Sequence, residues 1–129
     1  MPPENGIFLA ETRRLHPKIC SFISDKFYQG NLRPHKSTAK RKLINKAREK
    51  AVDLSGIHLE QLSHQNCSQR SLPESEHISN LIKAIRGSCL IEIDGTPREI
   101  NDADFIVIAP FNAQVKLLKS KLDETMILV

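Results

Sequence analysis

An α/β fold, a parallel sheet covered by helices, is what the order of apolar patterns along this sequence predicts. Stretches with helical spacing and short apolar runs succeed one another as helix, strand, helix, strand, helix, strand, the alternation expected of strands joined by helical crossovers. One run, Phe105-Ile106-Val107-Ile108-Ala109, is continuous and rich in β-branched residues between Asp104 and Pro110, as in a central parallel strand buried on both faces. With no Trp and a single Tyr in 129 residues, the core must be aliphatic. A chain of this length has room for one compact domain, and right-handed crossovers put the helices on the faces of the sheet.

The elements follow in order. Gly6 to Ala10 is a short apolar run, a strand or the end of one. His16-Pro17 opens a helix, because proline's missing N–H has no intrahelical partner at a first helical position. Ile19, Phe22, Ile23 and Phe27 give that helix an apolar face over roughly 17–28, with Gly30 as its stop signal. Lys40 to Val52 carries a thin stripe of Leu43, Ala47 and Ala51 and reads as a loosely packed helix. Ile57 to Leu62 alternates apolar and polar residues, the pattern of a half-buried strand, and a polar loop runs from Ser63 to Arg70. Ser71-Leu72-Pro73-Glu74 has capping-box spacing: the hydroxyl accepts from the N–H three residues on, and the carboxylate returns to the cap's own N–H. Ile78, Leu81, Ile82 and Ile85 then mark the buried face of a helix ending near Arg86-Gly87. Cys89–Ile93 and Thr96–Ile100 flank Asp94-Gly95, a tight-turn dipeptide, so this stretch reads as a hairpin or an ordered loop. Asn112 caps a last helix with Val115, Leu117, Leu118 and Leu122 on its apolar side, and Met126–Val129 reads as a further strand.

The formal charge of +4 is unevenly spread. Arg33, Lys36, Lys40, Arg41, Lys42, Lys46, Arg48 and Lys50 face only Glu49, a net +7, while the remaining eleven basic and fourteen acidic residues net −3. Such a block can track phosphates or form a solvated linker; charge alone leaves both open. Cys20, Cys67 and Cys89 are far apart, odd in number and without a C-x-x-C pair, which implies neither a zinc knuckle nor a disulfide framework. His58, His64 and His77 share no ligand spacing, so no metal is expected. The start of the chain lacks the form of a signal peptide and no apolar stretch nears the ~20 residues of a membrane span. The expectation is a cytoplasmic protein with no membrane partner.

Two segments carry chemistry. The first is Glu11-Thr12-Arg13-Arg14-Leu15-His16-Pro17, continuing through the helix to Phe27-Tyr28-Gln29-Gly30-Asn31-Leu32. The second is Phe105 to Ala109 followed by Pro110-Phe111-Asn112-Ala113-Gln114. Together they resemble the second RecA-like domain of superfamily-1 helicases, on the nonsense-mediated-decay and Okazaki-maturation branch. There an aromatic-Arg-Met-His-Pro element precedes a helix ending in Phe-Tyr-x-Gly-x-Leu, and a later strand ends in Pro-Tyr-x-x-Gln. The stretch His64 to Ile78, with Asn66, Gln69, Ser71 and Glu74, is similar to a subgroup fused to a RecB-like nuclease. Two positions depart from the pattern: Arg13 replaces the aromatic residue, where a guanidinium can stack instead, and Phe111 replaces the tyrosine, losing a hydroxyl and keeping the ring.

The resemblance implies a partial RecA-like parallel sheet with flanking helices, a P-loop NTPase-type fold without the P-loop. Residues 1–129 would be an incomplete second RecA-like domain with a flexible basic insert at 33–55. Arg14 would be the catalytic arginine reaching across a cleft to phosphates, a role that suits an always-charged planar fork. Arg13, Arg14 and Gln114 would bind ATP, and Pro110, Phe111 and Asn112 would touch nucleic acid. On the residues alone, Arg14 is equally a surface arginine, Gln114 a helix-surface glutamine and Phe111 a packing residue. His16 serves the helix start. The partners implied are single-stranded DNA or RNA and a first RecA-like motor domain, in cis or in trans; ATP and Mg²⁺ would bind only in a complete two-domain motor.

The sequence has no G-x-x-x-x-G-K-[ST] loop, its five glycines being scattered, and no apolar strand ending in paired acids to hold Mg²⁺. The family's Gly-Thr-Val-x-x-x-Gln-Gly-x-Glu element and its later arginine motif would begin just after Val129. Since ATP hydrolysis needs metal, phosphate cradle and water-positioning groups together, the chain alone is expected neither to hydrolyse ATP nor to unwind nucleic acid. Two other readings stand beside the helicase reading: a stand-alone nucleic-acid-binding module using Arg33 to Lys50, and a non-functional remnant whose open sheet edge aggregates.

Overall fold

The computed structural model of the chain describes residues 6–45, 51–122 and 127–128, the last two as backbone. The fold is mixed α/β, with parallel strand pairs and flanking helices, compatible with part of a RecA-like fold. Each parallel pair is one β-α-β unit. β1 (Glu11–Thr12) is joined to β2 (Arg33–Pro34) through α1 (Pro17–Phe27), in the register Glu11 opposite Arg33. β7 (Val107–Ile108) is joined to β8 (Ile127–Leu128) through α3 (Asn112–Lys119), with Val107 opposite Ile127. The strand expected over 6–10 is shifted: Ile7 and Leu9 are exposed, and pairing begins with the Ala10 carbonyl accepting from the Arg33 N–H at 2.7 Å.

Helix α1 begins as its sequence predicts. His16 is the N-cap, its Nδ1 accepting from the Lys18 N–H at 3.3 Å, and Pro17 follows at the first helical position. At the other end the Tyr28 and Gly30 N–H groups both donate to the Ser24 carbonyl, at 2.9 and 3.0 Å. Gly30 sits at φ +77°, a left-handed position that glycine takes without steric cost. The buried side of the helix differs from the predicted apolar face. It is made by Cys20 and Ser24, while Phe22 and Phe27 are exposed. Ser24 Oγ accepts from the Leu32 N–H at 3.0 Å and Cys20 Sγ lies 3.8 Å from the Leu32 carbonyl. Small side chains win this face because the returning chain that enters β2 passes close against it. Burial pushes the Cys20 thiol pKa up.

The largest sheet is antiparallel, which the alternation of elements did not predict. It has the order β4-β3-β5-β6, with β3 at Lys42–Asn45, β4 at Val52–Asp53, β5 at Cys89–Ile91 and β6 at Pro97–Glu99. Lys42 to Asn45 is thus a strand rather than the start of a helix; Lys46 to Lys50 of that expected helix lie outside the described residues. Leu43 and Ile44 pair with Leu90 and Cys89, and this cross-strand burial overrides a weak helical stripe. The basic stretch thereby contributes β2, a 3₁₀ helix over Lys36–Lys40, β3 and β4 to the described fold. Lys18 Nζ lies 3.0 Å from Asp53 Oδ2, joining α1 to β4. The β5–β6 hairpin forms as expected, though with shorter strands. Asp94 Oδ1 accepts from the Thr96 N–H at 2.9 Å and its hydroxyl at 2.6 Å, and Gly95 takes φ +93°.

Ile57 to Leu62 forms no strand. Its alternation is that of an extended segment held by side chains: His58 Nε2 donates to the Leu54 carbonyl at 3.0 Å, and Glu60 accepts from His77 Nε2. Ile57 and Leu59 point to solvent. Helix α2 (Leu72–Ile85) runs where predicted and ends before Gly87, at φ +79°. Its Ile82 joins Val115 and Leu118 of α3 in the buried core, with Ile78, Phe105, Val107, Ala109 and Leu122 packed around them. Leu81 of the predicted buried face is partly exposed. The Phe105–Ala109 run is not covered on both faces. Phe105, Val107 and Ala109 face the helices, while Ile106 and Ile108 are 66% and 75% exposed.

Two measurements probe this fold. Leu118 is only 1% exposed at the α2–α3 contact, so Leu118→Ala should cost about 2–5 kcal/mol in denaturant unfolding. Arg98 binds both oxygens of Asp104, at 2.7 and 2.6 Å, and Glu92 at 2.9 Å. The guanidinium, with the Asn101 N–H, holds the Asp104 carboxyl down to about 2. A depressed folded-state pKa contributes stability that is complete above the unfolded value near ~3.9 and is lost as pH falls through the folded one. The stability gap between the parent chain and Asp104→Asn should therefore be constant above about pH 5 and close between about pH 4 and 2.

Candidate functional site

The residues that the sequence marks fall into two places. Arg13 and Arg14 occupy the bend between β1 and α1. The Arg14 N–H donates to Thr12 Oγ1 at 3.2 Å, and the adjacent β1–β2 pairing and the His16 cap hold the bend on both sides. Both arginines are exposed, and neither guanidinium has a hydrogen-bond or ion-pair partner among the described residues. The His16 ring has its pKa lowered, first by burial and then by the Lys18 charge, which keeps Nδ1 free to accept from the Lys18 N–H. Its position thus serves the helix start, as its place before Pro17 predicts.

The second place is a groove of about 220 Å³ at the carboxyl end of β7. Pro110, Phe111 and Gln114 form one wall, and the segment Ser68 to Ser71 forms the other. Phe111, not Asn112, is the N-cap of α3, and it makes no side-chain capping bond. Asn112 is the first residue of the helix, exposed and outside the groove lining. Gln114 is buried at 6% exposure. Its Oε1 accepts from the Ser71 N–H at 2.7 Å and its Nε2 donates to the Ser71 carbonyl at 3.1 Å. Arg13 and Arg14 do not line this groove.

The Gln114 contact rewrites the capping box. Ser71 Oγ accepts from the Glu74 N–H at 3.3 Å as expected, but the Ser71 N–H, which the glutamate would take in such a box, is already bound by Gln114. Glu74 instead accepts from His64 Nε2 at 3.0 Å, tying the 63–70 loop to the first turn of α2. Asn66 in that loop takes φ +58°, a left-handed conformation that asparagine tolerates better than most residues. The serine half of the predicted box therefore forms, while the Glu74 carboxylate and the Ser71 N–H each take another partner. Arg70, which lines the groove and is exposed, had no motif of its own to mark it.

The donors and acceptors at these two places suit phosphate and base contacts better than metal. Among the described residues no three His, Cys, Asp or Glu side chains come together as a metal site. For ATP the fit is partial. Arg14 offers an unpaired guanidinium, and the chain contains no glycine-rich phosphate cradle. Among the described residues no helix is long and apolar enough to cross a membrane.

A family profile described as an AAA domain matches residues 3–127, a span that takes in both marked segments and the basic stretch between them. No match is found among curated proteins or among solved structures. With the profile covering nearly every residue on a mixed α/β fold, the chain belongs to the AAA domain family, a domain found in superfamily-1 helicase-like proteins.

Proposed function

We propose that this chain is a second motor domain of an ATP-dependent superfamily-1 helicase of the nonsense-mediated-decay and Okazaki-maturation branch. It contributes one wall of an ATP cleft and part of a single-strand track. The observation that carries the reading is Arg14, an exposed guanidinium without a partner among the described residues, at the strand-to-helix bend of an AAA domain. An always-charged planar fork supplied by the domain opposite the phosphate cradle stabilises charge that grows during phosphoryl transfer, and makes hydrolysis depend on domain closure. Arg13, beside it, shares that ATP-facing assignment; Gln114, expected with them, is not carried over, because both ends of its amide bind the main chain of Ser71 in the separate groove. The cradle and the Mg²⁺ ligands come from a first RecA-like domain, in cis or in trans.

Pro110, Phe111 and Asn112 form the strand-facing part of the reading. Phe111 keeps 46% of its surface exposed at the end of β7, the position where α/β sheets commonly bind ligands. A ring held there can stack on a base of single-stranded DNA or RNA whatever its sequence.

A second reading is favoured by one observation: Arg33, Lys36, Lys40, Arg41 and Lys42 are all exposed. A module that binds nucleic acid through this basic surface alone would show steep salt dependence and lose binding with charge reversal there, but would be indifferent to Arg14.

ATP turnover separates the readings. The chain alone should show none. Mixed with a matching first motor domain and single-stranded DNA it should turn over, and Arg14→Ala should cut that rate by about 10³ or more. Turnover unchanged by Arg14→Ala would remove the arginine from the mechanism. No turnover in the mixture, with salt-sensitive strand binding retained, would leave the basic module as the function.

A further inference from the structure

The groove at the end of β7 has two walls joined by one side chain. Gln114 binds both the N–H and the carbonyl of Ser71, at 2.7 and 3.1 Å, from a position almost closed to solvent. The acceptor and the donor of one amide are thus both used by the main chain of one residue, which fixes the amide's orientation. Phe111 lies three residues before Gln114 and caps α3; Arg70 is the residue before Ser71. The Gln114–Ser71 clasp therefore fixes the main-chain positions from which the ring and the guanidinium extend into the groove. Phe111 is half exposed, and Arg70 is exposed with no ion-pair partner among the described residues. The acid on this groove, Glu74, is engaged by His64.

We propose that Gln114 is a positioning residue that sets the Arg70–Phe111 groove, and that this groove seats one nucleotide of a single strand, with Phe111 stacking the base and Arg70 holding its phosphate. A ring and an unpaired guanidinium around about 220 Å³ match those two parts of a nucleotide. The inference rests on the strand-track reading of Phe111; it adds Arg70 as a contact and makes Gln114 the residue that aligns the two walls.

The test is the affinity of the whole chain for a fluorescently labelled oligothymidylate, measured well below the unfolding temperature of each variant. Phe111→Ala should weaken binding about tenfold, within the range for one lost stacking contact. Gln114→Ala should lose about as much, and the double variant no more than either alone, because both changes break the same contact. Arg70→Ala should lower the slope of log affinity against log salt by about 0.7, one phosphate contact on a single strand. Losses that add independently in the double variant, an unchanged affinity for Gln114→Ala, or an unchanged salt slope for Arg70→Ala would each overturn the proposal while leaving the strand track standing. No loss with Phe111→Ala would sink the strand track itself, and the groove with it. Should Gln114→Ala fail to fold, Gln114→Glu serves in its place. Protonated, its carboxyl offers the same donor and acceptor pair, so its affinity relative to the parent chain should recover as pH falls; a ratio flat with pH would overturn the clasp. The other ionisable side chains lining the groove, His64, Cys67, Arg70 and Glu74, are common to both proteins, so the ratio compares them at residue 114 alone.

Discussion

Two hydrogen bonds between the Gln114 amide and the main chain of Ser71 hold together the part of the molecule on which its proposed function depends. They join the first turns of α2 and α3, forty-three residues apart in sequence, at the level where the core of Ile82, Val115 and Leu118 begins. Apolar packing brings the helices together but is tolerant of sliding and rotation, since burial is not directional. A buried amide that must satisfy both its ends is not tolerant: displacing it leaves a donor and an acceptor without partners, at a cost larger than the net gain of making the bonds. The clasp therefore supplies register where the core supplies adhesion. It also frees Glu74 from the capping box, and that carboxylate then holds the preceding loop through His64.

Local signals were legible where a side chain answers to its own neighbours. The Pro17 helix start, the Gly30 and Gly87 stops, the Ser71 cap and the Asp94-Gly95 turn all rest on interactions within a few residues, and the structure carries each of them. What failed depended on distant partners. Leu43 looks like part of a weak helical stripe until β5 is beside it. Ile57 to Leu62 alternates like a strand but meets no free edge among the described residues. The run from Phe105 to Ala109 looks buried on both sides, yet its alternate residues Ile106 and Ile108 remain open. At the candidate site, Arg14, Phe111 and Gln114 could be picked out by their motifs. Arg70 and the clasp could not, because a contact between residues 71 and 114 leaves no periodicity in either segment.

The antiparallel sheet changes what the basic stretch is. Far from standing apart from the fold, its residues 42–45 form an interior strand of the largest sheet, and Asn45 reaches the Ala84 carbonyl of α2 at 3.2 Å. The exposed cations on Arg33, Lys36, Lys40, Arg41 and Lys42 are thus carried by β2, the 3₁₀ helix and the start of β3.

The distribution of ion pairs sharpens that point. From Glu60 onward several charged groups answer one another: Arg86 with Asp102, Arg98 with Glu92 and Asp104, Lys121 with Glu76, and His77 and His64 with Glu60 and Glu74, while Arg70, Lys83, Lys116 and Lys119 have no ion pair among the described residues. In the first half Lys18 has Asp53, but Arg13, Arg14, Arg33 and Arg41 have no such partner among the described residues. Exposed pairs add little to stability, so the contrast says little about folding. It bears on availability. A guanidinium already bound to a carboxylate must break that contact to meet a phosphate, whereas an unpaired one gives up only water. Unpaired cations at the β1–α1 bend, along the basic strands and at Arg70 on the groove are thus available to an anionic partner without a prior contact to break.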